Sequence, residues 1–118
     1  MLDLASRYVD VDALPWVSGG FAGIEQKVLF DDPDRGMRTL LIRWAPGAEL
    51  PLHEHADVEQ TFVLEGSLVD HEGECKAGDF VWRPAGSRHR AWSPQGCLLL
   101  AVFLKPNTFL TDASAPPD

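Results

Sequence analysis

The sequence predicts an all-β, single-domain protein whose short strands form a sandwich or barrel. The chain has 118 residues, a length typical of one domain. Short runs rich in Val, Leu, Phe and Trp alternate at regular spacing with segments rich in Pro and Gly. No window shows helical periodicity over more than two turns. These three observations favour a closed or sandwiched sheet architecture, of which the jelly roll is one form.

The predicted strands of the first half end at clear turn signals. The first reads "AGIEQKVLF" and stops at "DDPDRG", and the second reads "MRTLLIRWA" and stops at "APG". A third strand carries the next polar segment, and a fourth, "EQTFVLE", ends at "EGS". In chain order these strands span 22–30, 37–45, 48–55 and 59–65.

The second half continues the same pattern. The stretch before the turn "DHEGE" and the stretch "DFVWR" between "KAGD" and "RPAGS" are both short and apolar. The last run, "CLLLAVFL", is apolar at every position, which is typical of a strand that is covered on both faces. The predicted strands here span 67–70, 79–83, 88–93 and 97–104.

One domain accounts for nearly the whole chain. We expect it to span residues 1–110 around a core of about 37–104. The N-terminal strand segment, 8–30, should pack on this core or on a partner subunit. The polar tail "TDASAPPD", residues 111–118, is expected to be flexible.

Charge and hydropathy limit the partners. The formal net charge is −8, so nucleic acid and anionic membrane surfaces are not expected as partners. No apolar run is long enough for a membrane helix. The N-terminus "MLDLASRYVDVDALPW" has no apolar signal core, and a cytoplasmic location is therefore expected.

Three of the four histidines and one glutamate have the spacing of a metal site. His53 and His55 lie two residues apart, so both project from one face of a strand. Glu59 opens the next strand, and His89 follows a Pro-Ala-Gly turn 30 residues later. The fourth histidine, His71, falls in a predicted turn and is expected at the surface.

This ligand set indicates one divalent transition metal. Imidazole and carboxylate suit Fe(II), Mn(II), Ni(II), Cu(II) or Zn(II), whereas Mg and Ca prefer all-oxygen shells. Four ligands on an octahedral ion leave about two positions open, as a catalytic metal requires. The ligand types alone leave the choice among these metals open.

Strand alternation extends the candidate site to a pocket. If Glu59 points inward, Thr61 and Val63 share its face; Ala91 and Ser93 likewise share the face of His89. These residues predict a small, mildly polar pocket for a small organic substrate.

The same alternation points Phe62 and Leu64 outward. Exposed apolar residues on neighbouring strands need a cover. The N-terminal segment, a second subunit or both could supply it, and we expect a homodimer.

Two segments of the chain resemble the two motifs of the cupin superfamily, the RmlC-like proteins. The first is "GAELPLHEHADVEQTFVLEG" and the second is "GDFVWRPAGSRH". The resemblance implies a cupin jelly-roll barrel of two antiparallel sheets, with His53, His55, Glu59 and His89 as ligands. Ser93 stands where the second motif usually ends in Asn. This departure bears on substrate contacts rather than on metal ligands.

The chain is most similar to ChrR-type cupins, through "LPW", "FVLEGS", "AGDF", "RPAGSRH" and the closing "GC". That group includes the cupin domain of certain anti-sigma factors and free-standing dioxygenases that cleave diketones. Such dioxygenases are said to rely on three histidines, so direct ligation by Glu59 stays open. Such anti-sigma factors also carry a separate zinc-binding domain, for which 118 residues leave no room.

The resemblance implies a metal-dependent dioxygenase, or a related lyase or isomerase, that acts on a small oxygen-rich substrate. For such a dioxygenase Fe(II) is the favoured metal, because it would let dioxygen react with a chelated substrate, and Zn, Ni and Mn are the alternatives. The alternative is a non-enzymatic cupin that binds or senses a small molecule.

Overall fold

The structure, a computed structural model, describes residues 4–110. A short 3-10 helix, Val11–Ala13, precedes ten strands in the described part of the chain. The strands are β1 (Val17–Ser18), β2 (Ile24–Asp32), β3 (Met37–Trp44), β4 (Ala48–Glu54), β5 (Glu59–Asp70), β6 (Gly73–Lys76), β7 (Phe80–Arg83), β8 (Arg88–Ser93), β9 (Cys97–Phe103) and β10 (Thr108–Phe109). The predicted flexible tail, 111–118, lies outside the described residues.

The strands form two antiparallel sheets that share β5. One sheet has the order β1-β2-β3-β9-β5-β7. The other has the order β10-β4-β8-β5-β6. The all-β jelly-roll prediction is confirmed, and every strand pair is antiparallel.

One long strand replaces two predicted ones. The segments 59–65 and 67–70 both belong to β5, which is interrupted by a register shift between Val63 and Glu65. Gly66 has a φ of 72° beside this bulge, a conformation that favours glycine. The bulge changes which residues face inward. Val63 is buried before it, but Leu68 and Asp70 are buried after it.

The structure also contains a strand where the sequence predicts the turn "DHEGE". The turn is shorter than expected, and β6 already begins at Gly73 and pairs with the end of β5. The reason lies in Asp70, whose Oδ1 accepts hydrogen bonds from the backbone N–H groups of Glu72 (2.9 Å) and Gly73 (3.1 Å). This side chain closes the hairpin early.

The N-terminal segment packs on its own chain. The β2 strand pairs with β3 along almost its full length. Lys27 of β2 contacts the 3-10 helix that precedes it: its Nζ atom donates to the Val11 carbonyl oxygen at 2.8 Å. The ring of Trp16 lies 4.9 Å from this Nζ and 4.1 Å from the guanidinium carbon of Arg43. These contacts cover the outer face of β2 and the end of β3.

One row of apolar side chains on that outer face is left uncovered. Leu41, Leu100, Phe62 and Phe80 occupy paired positions on β3, β9, β5 and β7, and we call them the outer row. Phe62 is 40% exposed and Phe80 is 54% exposed. The outward orientation predicted for Phe62 and Leu64 is therefore correct. No helix within residues 4–110 is long and apolar enough to cross a membrane.

Candidate metal centre

Three imidazoles meet inside the barrel. His53 lies at the end of β4, His55 follows it directly, and His89 lies opposite His53 on the paired strand β8. Their ring centroids are 4.5–5.0 Å apart, and a candidate ligand nitrogen of each lies within 4.8 Å of the others. All three residues are 1–4% exposed. The chain thus brings together the three predicted histidines.

Each ring is held by a hydrogen bond at Nδ1. The partner of His53 is the Pro51 carbonyl oxygen at 2.8 Å. The partner of His55 is the Ser87 Oγ atom at 2.9 Å, and the partner of His89 is a carboxylate oxygen at 2.8 Å. Because carbonyl and carboxylate oxygens only accept, they place the proton of His53 and of His89 on Nδ1. The Ser87 hydroxyl donates to a carbonyl at 2.7 Å, so it accepts from His55.

This protonation pattern leaves the Nε2 lone pairs free for a metal ion. The Nε2 atom of His55 is buried and has no hydrogen-bond partner among the described residues. A buried polar atom without a partner is costly unless something binds it. The histidine cluster therefore fits a metal, and the three histidines can hold one.

Electrostatics keep the imidazoles neutral, which is the form that binds metals. Burial, with smaller contributions from the neighbouring His53 and Arg83, lowers the pKa of His55 to about 4. Burial, Arg83 and the other two histidines lower the pKa of His89 to about 3. Burial also lowers the pKa of His53. All three rings are consequently neutral at pH 7.

Glu59 lies at the edge of the cluster. Its Oε2 atom is 3.6 Å from the Nε2 atom of His55, but it is not one of the mutually close ligand groups. Two ligand atoms on one ion at bond lengths of about 2.1 Å lie roughly 3.0–4.2 Å apart, so this separation suits a shared metal. Burial raises the pKa of the Glu59 carboxyl to about 7, against the opposing effects of Arg83 and a hydrogen bond from Asn107.

A buried ion pair supports the third histidine. The carboxylate that holds His89 belongs to Asp70, whose Oδ2 atom lies 2.5 Å from Nη1 of Arg83. Both side chains are nearly inaccessible, at 2% and 10% exposed. Burial raises the pKa of Asp70, but Arg83, the Glu72 backbone N–H and His89 together hold it below its usual range. Asp70 is thus a permanent anion behind His89.

Sequence reasoning missed this pair. Uninterrupted alternation from Glu59 would point Asp70 to solvent, and the bulge beside Gly66 reverses that orientation. A glycine inside a strand pattern is the signal that could have revealed it. Arg83 opens the basic run "RPAGSRHR", whose charged side chains would be expected in solvent. In the structure its backbone pairs with that of Glu59 and its side chain points inward.

The four predicted pocket residues all face the interior. Thr61 is 3% exposed, and Val63 and Ala91 belong to the hydrophobic core cluster. The Oγ atom of Ser93 donates to the Ser67 carbonyl oxygen at 2.6 Å. None of the four is among the residues that line the cavity of about 210 Å³ beside the histidines. His71 is exposed, as predicted.

The chain is similar to known proteins both in sequence and in fold. The chain is 30% identical over 100 residues to the anti-sigma-E factor ChrR of Cereibacter sphaeroides, which covers 80% of this chain. It spans about half the length of that curated relative, 46%.

Two solved structures show the same fold. One is a candidate acetylacetone dioxygenase from Methylibium petroleiphilum PM1, with a TM-score of 0.87, 22% identity and coverage of 100% of this chain and 90% of that one. The other is an acetylacetone dioxygenase from Acinetobacter johnsonii, with a TM-score of 0.84, 20% identity and coverage of 98% and 85%.

A family model extends the similarity along the described chain. The model of the ChrR cupin-like domain matches residues 4–107, which include all three histidines. The cupin resemblance of the two sequence motifs is thereby confirmed, and the chain belongs to the ChrR cupin-like domain family.

Proposed function

We propose that the protein is a metal-dependent cupin that acts as a dioxygenase, or a related lyase or isomerase, on a small oxygen-rich organic substrate. The observation that carries this proposal is the convergence of three buried imidazoles whose Nδ1 atoms are all hydrogen-bonded. A structural zinc site would fill its coordination shell with protein ligands. Three histidines would leave coordination positions of the metal open for a substrate or dioxygen. The fold shared with acetylacetone dioxygenases supports this reading.

The metal is a single divalent transition ion in this proposal, with Fe(II) favoured over Zn, Ni and Mn. When bound, such an ion supplies a Lewis acid and, as Fe(II), reactivity toward dioxygen. His53, His55 and His89 hold it, and Glu59 is the proposed fourth ligand. Asp70 keeps the proton of His89 on Nδ1, so its lone pair stays directed at the metal.

Proton transfer is the alternative role for Glu59, where it does not ligate the metal. In the metal-free protein its pKa is about 7, which places the carboxyl near half ionisation at neutral pH. It is 9% exposed and borders the histidine cluster. A carboxylate there can accept a proton from an enolisable substrate, while the surrounding walls exclude bulk water.

Oxygen consumption tests the proposal. The full chain is loaded anaerobically with Fe(II), mixed with 2,4-pentanedione or another enolisable 1,3-dicarbonyl, and exposed to air. We expect substrate-dependent oxygen uptake, and none from protein loaded with redox-inert Zn(II). The matched control pair is His53→Ala, which removes a ligand, and His71→Ala, which removes an exposed histidine. Absence of uptake with every enolisable substrate would refute the dioxygenase assignment.

A non-enzymatic role is the second candidate. The curated relative is an anti-sigma factor, and the similarity covers 100 residues. In this role the barrel binds or senses a small molecule and passes the signal to a protein partner. Saturable ligand binding without turnover, at an intact metal site, would favour it over catalysis.

We further propose that the protein is a cytoplasmic homodimer. The N-terminal segment already lies over Lys27 and Arg43, yet Phe62 and Phe80 of the outer row remain exposed. A row of uncharged apolar side chains offers nothing to attract a charged partner. It can pair with the same row of a second copy about a twofold axis. We therefore assign the second copy of this chain to the outer row.

A further inference from the structure

A cavity of about 210 Å³ runs along the inner face of β3. Four alternate residues of that strand line it, namely Arg38, Leu40, Ile42 and Trp44. The middle and the far end are mostly apolar, since Ile42 and Trp44 also pack on the hydrophobic core cluster. Gln26, which pairs with Ile42, adds one amide to the lining. On the scale of about 30 Å³ per water molecule, the space holds about seven non-hydrogen atoms.

One end of this cavity adjoins the candidate metal centre. Asn107 lines the cavity, and its side chain hydrogen-bonds Glu59. Phe109 lines it as well, and its ring centroid lies 5.4 Å from that of His53. A molecule bound at the metal can therefore extend into the cavity along β3.

Arg38 marks this same end. Its backbone pairs with Phe103, which in turn pairs with Glu59, so Arg38 lies two strands from Glu59, about 10 Å across the sheet. The Nε atom of Arg38 is buried and has no hydrogen-bond partner among the described residues. Asp31 forms only a long ion pair with Arg38, with 3.8 Å between its Oδ1 atom and this Nε atom, beyond hydrogen-bonding distance, and the Arg38 side chain as a whole is 34% exposed. A guanidinium in this state pairs well with a carboxylate.

We propose that this cavity binds the chain of a short aliphatic carboxylate, with the carboxylate on Arg38 and the alkyl chain beside Leu40 and Ile42. This inference rests on the proposed function and deepens it, because it names the substrate class of the same metal site. In this orientation, the substrate oxygens that bind the metal lie at the Glu59 end of the cavity. Its apolar chain points toward Trp44. Arg38 is then a specificity-determining residue, because a neutral isostere of the substrate lacks the negative charge that pairs with the Arg38 guanidinium.

Binding of pentanoate, which has seven non-hydrogen atoms, tests the inference directly. The ¹⁵N-labelled full chain, loaded with Zn(II), is titrated with pentanoate and with its neutral isostere pentanamide. The reporter is the indole N–H resonance of Trp44, and that of the exposed Trp82 is the internal reference. We expect a saturable shift at Trp44 and about tenfold or greater preference for pentanoate.

Two variants separate Arg38 from the metal as the source of this preference. Arg38→Gln should bind both compounds equally weakly, while Arg35→Gln, which changes a mostly exposed arginine of the neighbouring turn, should behave as wild type. Ile42→Phe fills the cavity and should remove binding of both. Equal affinity of the wild type for the two compounds, a preference retained in Arg38→Gln, or no shift at Trp44 would overturn the inference.

The outcome is independent of the dioxygenase test. Pentanoate binding at Trp44 without oxygen uptake on any dicarbonyl would refute the proposed activity and leave the carboxylate subsite standing. Oxygen uptake without pentanoate binding would do the reverse. Repeating the titration on metal-free protein should preserve the Arg38-dependent preference, because that residue is not a metal ligand.

Discussion

The Nδ1 atom of His89 lies 2.8 Å from the Oδ2 atom of Asp70, and this bond joins a motif histidine to a carboxylate outside both cupin motifs. A carboxylate on the far nitrogen fixes the ring orientation and raises the basicity of the ligand. Arg83 balances the buried charge of Asp70. In the proposed metal site, the ligand strength of His89 therefore depends on two residues that are not themselves ligands.

The first prediction concerns this support. Asp70→Asn should weaken metal affinity by about 10- to 100-fold, because a neutral amide polarises the imidazole less than a carboxylate does. Competition with a chromogenic chelator for Zn(II) or Co(II) measures the dissociation constant. Glu72→Gln is the matched control, since Glu72 also faces Arg83 but is 64% exposed.

Asp70→Asn leaves Arg83 without its buried partner, which can cost about 3–5 kcal/mol of stability. The double variant Asp70→Asn with Arg83→Gln removes that unpaired charge and should show the same loss of affinity. Wild-type affinity in a folded form of either variant would contradict the prediction.

The second prediction concerns acid. The pKa values of His55 and His89 are about 4 and about 3 in the folded protein, below the ordinary 6.5. The unfolded chain therefore binds more protons as the pH falls from 6.5 toward 4, so the metal-free protein should lose stability across this window. The lowered pKa of Asp70 acts in the same direction at lower pH.

Urea unfolding at pH 7, 5.5 and 4.5 measures this acid loss in a Glu59→Gln background, because the raised pKa of Glu59 changes stability in the opposite direction over the same range. Bound Zn(II) holds the imidazoles deprotonated, so the loaded protein should retain its stability to lower pH. His71→Ala should leave the profile unchanged. A metal-free stability that is constant from pH 7 to 4.5 would rule the prediction out.

The third prediction concerns Glu59, whose titration has the opposite sign. Its pKa rises from 4.5 to about 7 on folding, so the stability it contributes is present below pH 4.5 and is lost as the pH rises through 7. Glu59→Gln removes this loss. In the metal-free protein the variant should therefore gain stability over wild type between pH 5 and pH 8, on the order of 2–3 kcal/mol.

Denaturant unfolding of both proteins at the two pH values gives this difference, and Glu65→Gln, at an exposed position of the same strand, is the control. The metal-loaded protein should respond in the other direction. There, Glu59→Gln should weaken metal binding, because it removes the proposed fourth ligand. An unchanged dissociation constant would show that Glu59 does not ligate.

The fourth prediction concerns the bulge of β5. A Cβ at Gly66 would overlap the Gly96 carbonyl oxygen, and the φ of 72° disfavours any other residue. Gly66→Ala should lower the free energy of unfolding by at least about 2 kcal/mol. Gly73→Ala is the matched control, because no atom lies within 4 Å of its added Cβ. Equal stability of the two variants in chemical denaturation would disprove this reading of the bulge.

The fifth prediction concerns the outer row. Phe80→Glu should convert the proposed dimer to a monomer, because it buries a charge in the apolar contact. Light scattering should give a mass twice that of the 13.0 kDa chain for wild type and a single-chain mass for the variant. Val17→Glu alters another exposed apolar residue, on the edge strand β1, and should stay dimeric. A wild-type mass of one chain at micromolar concentration would end the dimer proposal.

Most strand positions were predictable because turn residues and apolar runs act locally. Two features were not predictable: β5 is one strand where two were predicted, and β6 begins inside a predicted turn. Gly66 shifts the alternation, and Asp70 closes the following turn with its own side chain. Neither effect follows from a count of apolar residues.

Part of the candidate metal centre could also be predicted from the sequence. His53, His55 and His89 follow from spacing, because strand geometry alone puts two of them on one face. Arg83 was not predictable, since its partner becomes apparent only when β5 and β7 pair. Alternation correctly turned Thr61 inward, but it does not indicate which inward position borders open space. That depends on the side chains opposite.

The bulge beside Gly66 links the metal affinity of the proposed site to the register of β5. A chain lacking one residue between Val63 and Ser67 would keep its turns and all three imidazoles, yet would swing the Asp70 carboxylate out to solvent. A single-codon deletion should thus lower the metal affinity of the proposed site and leave its three histidines in place.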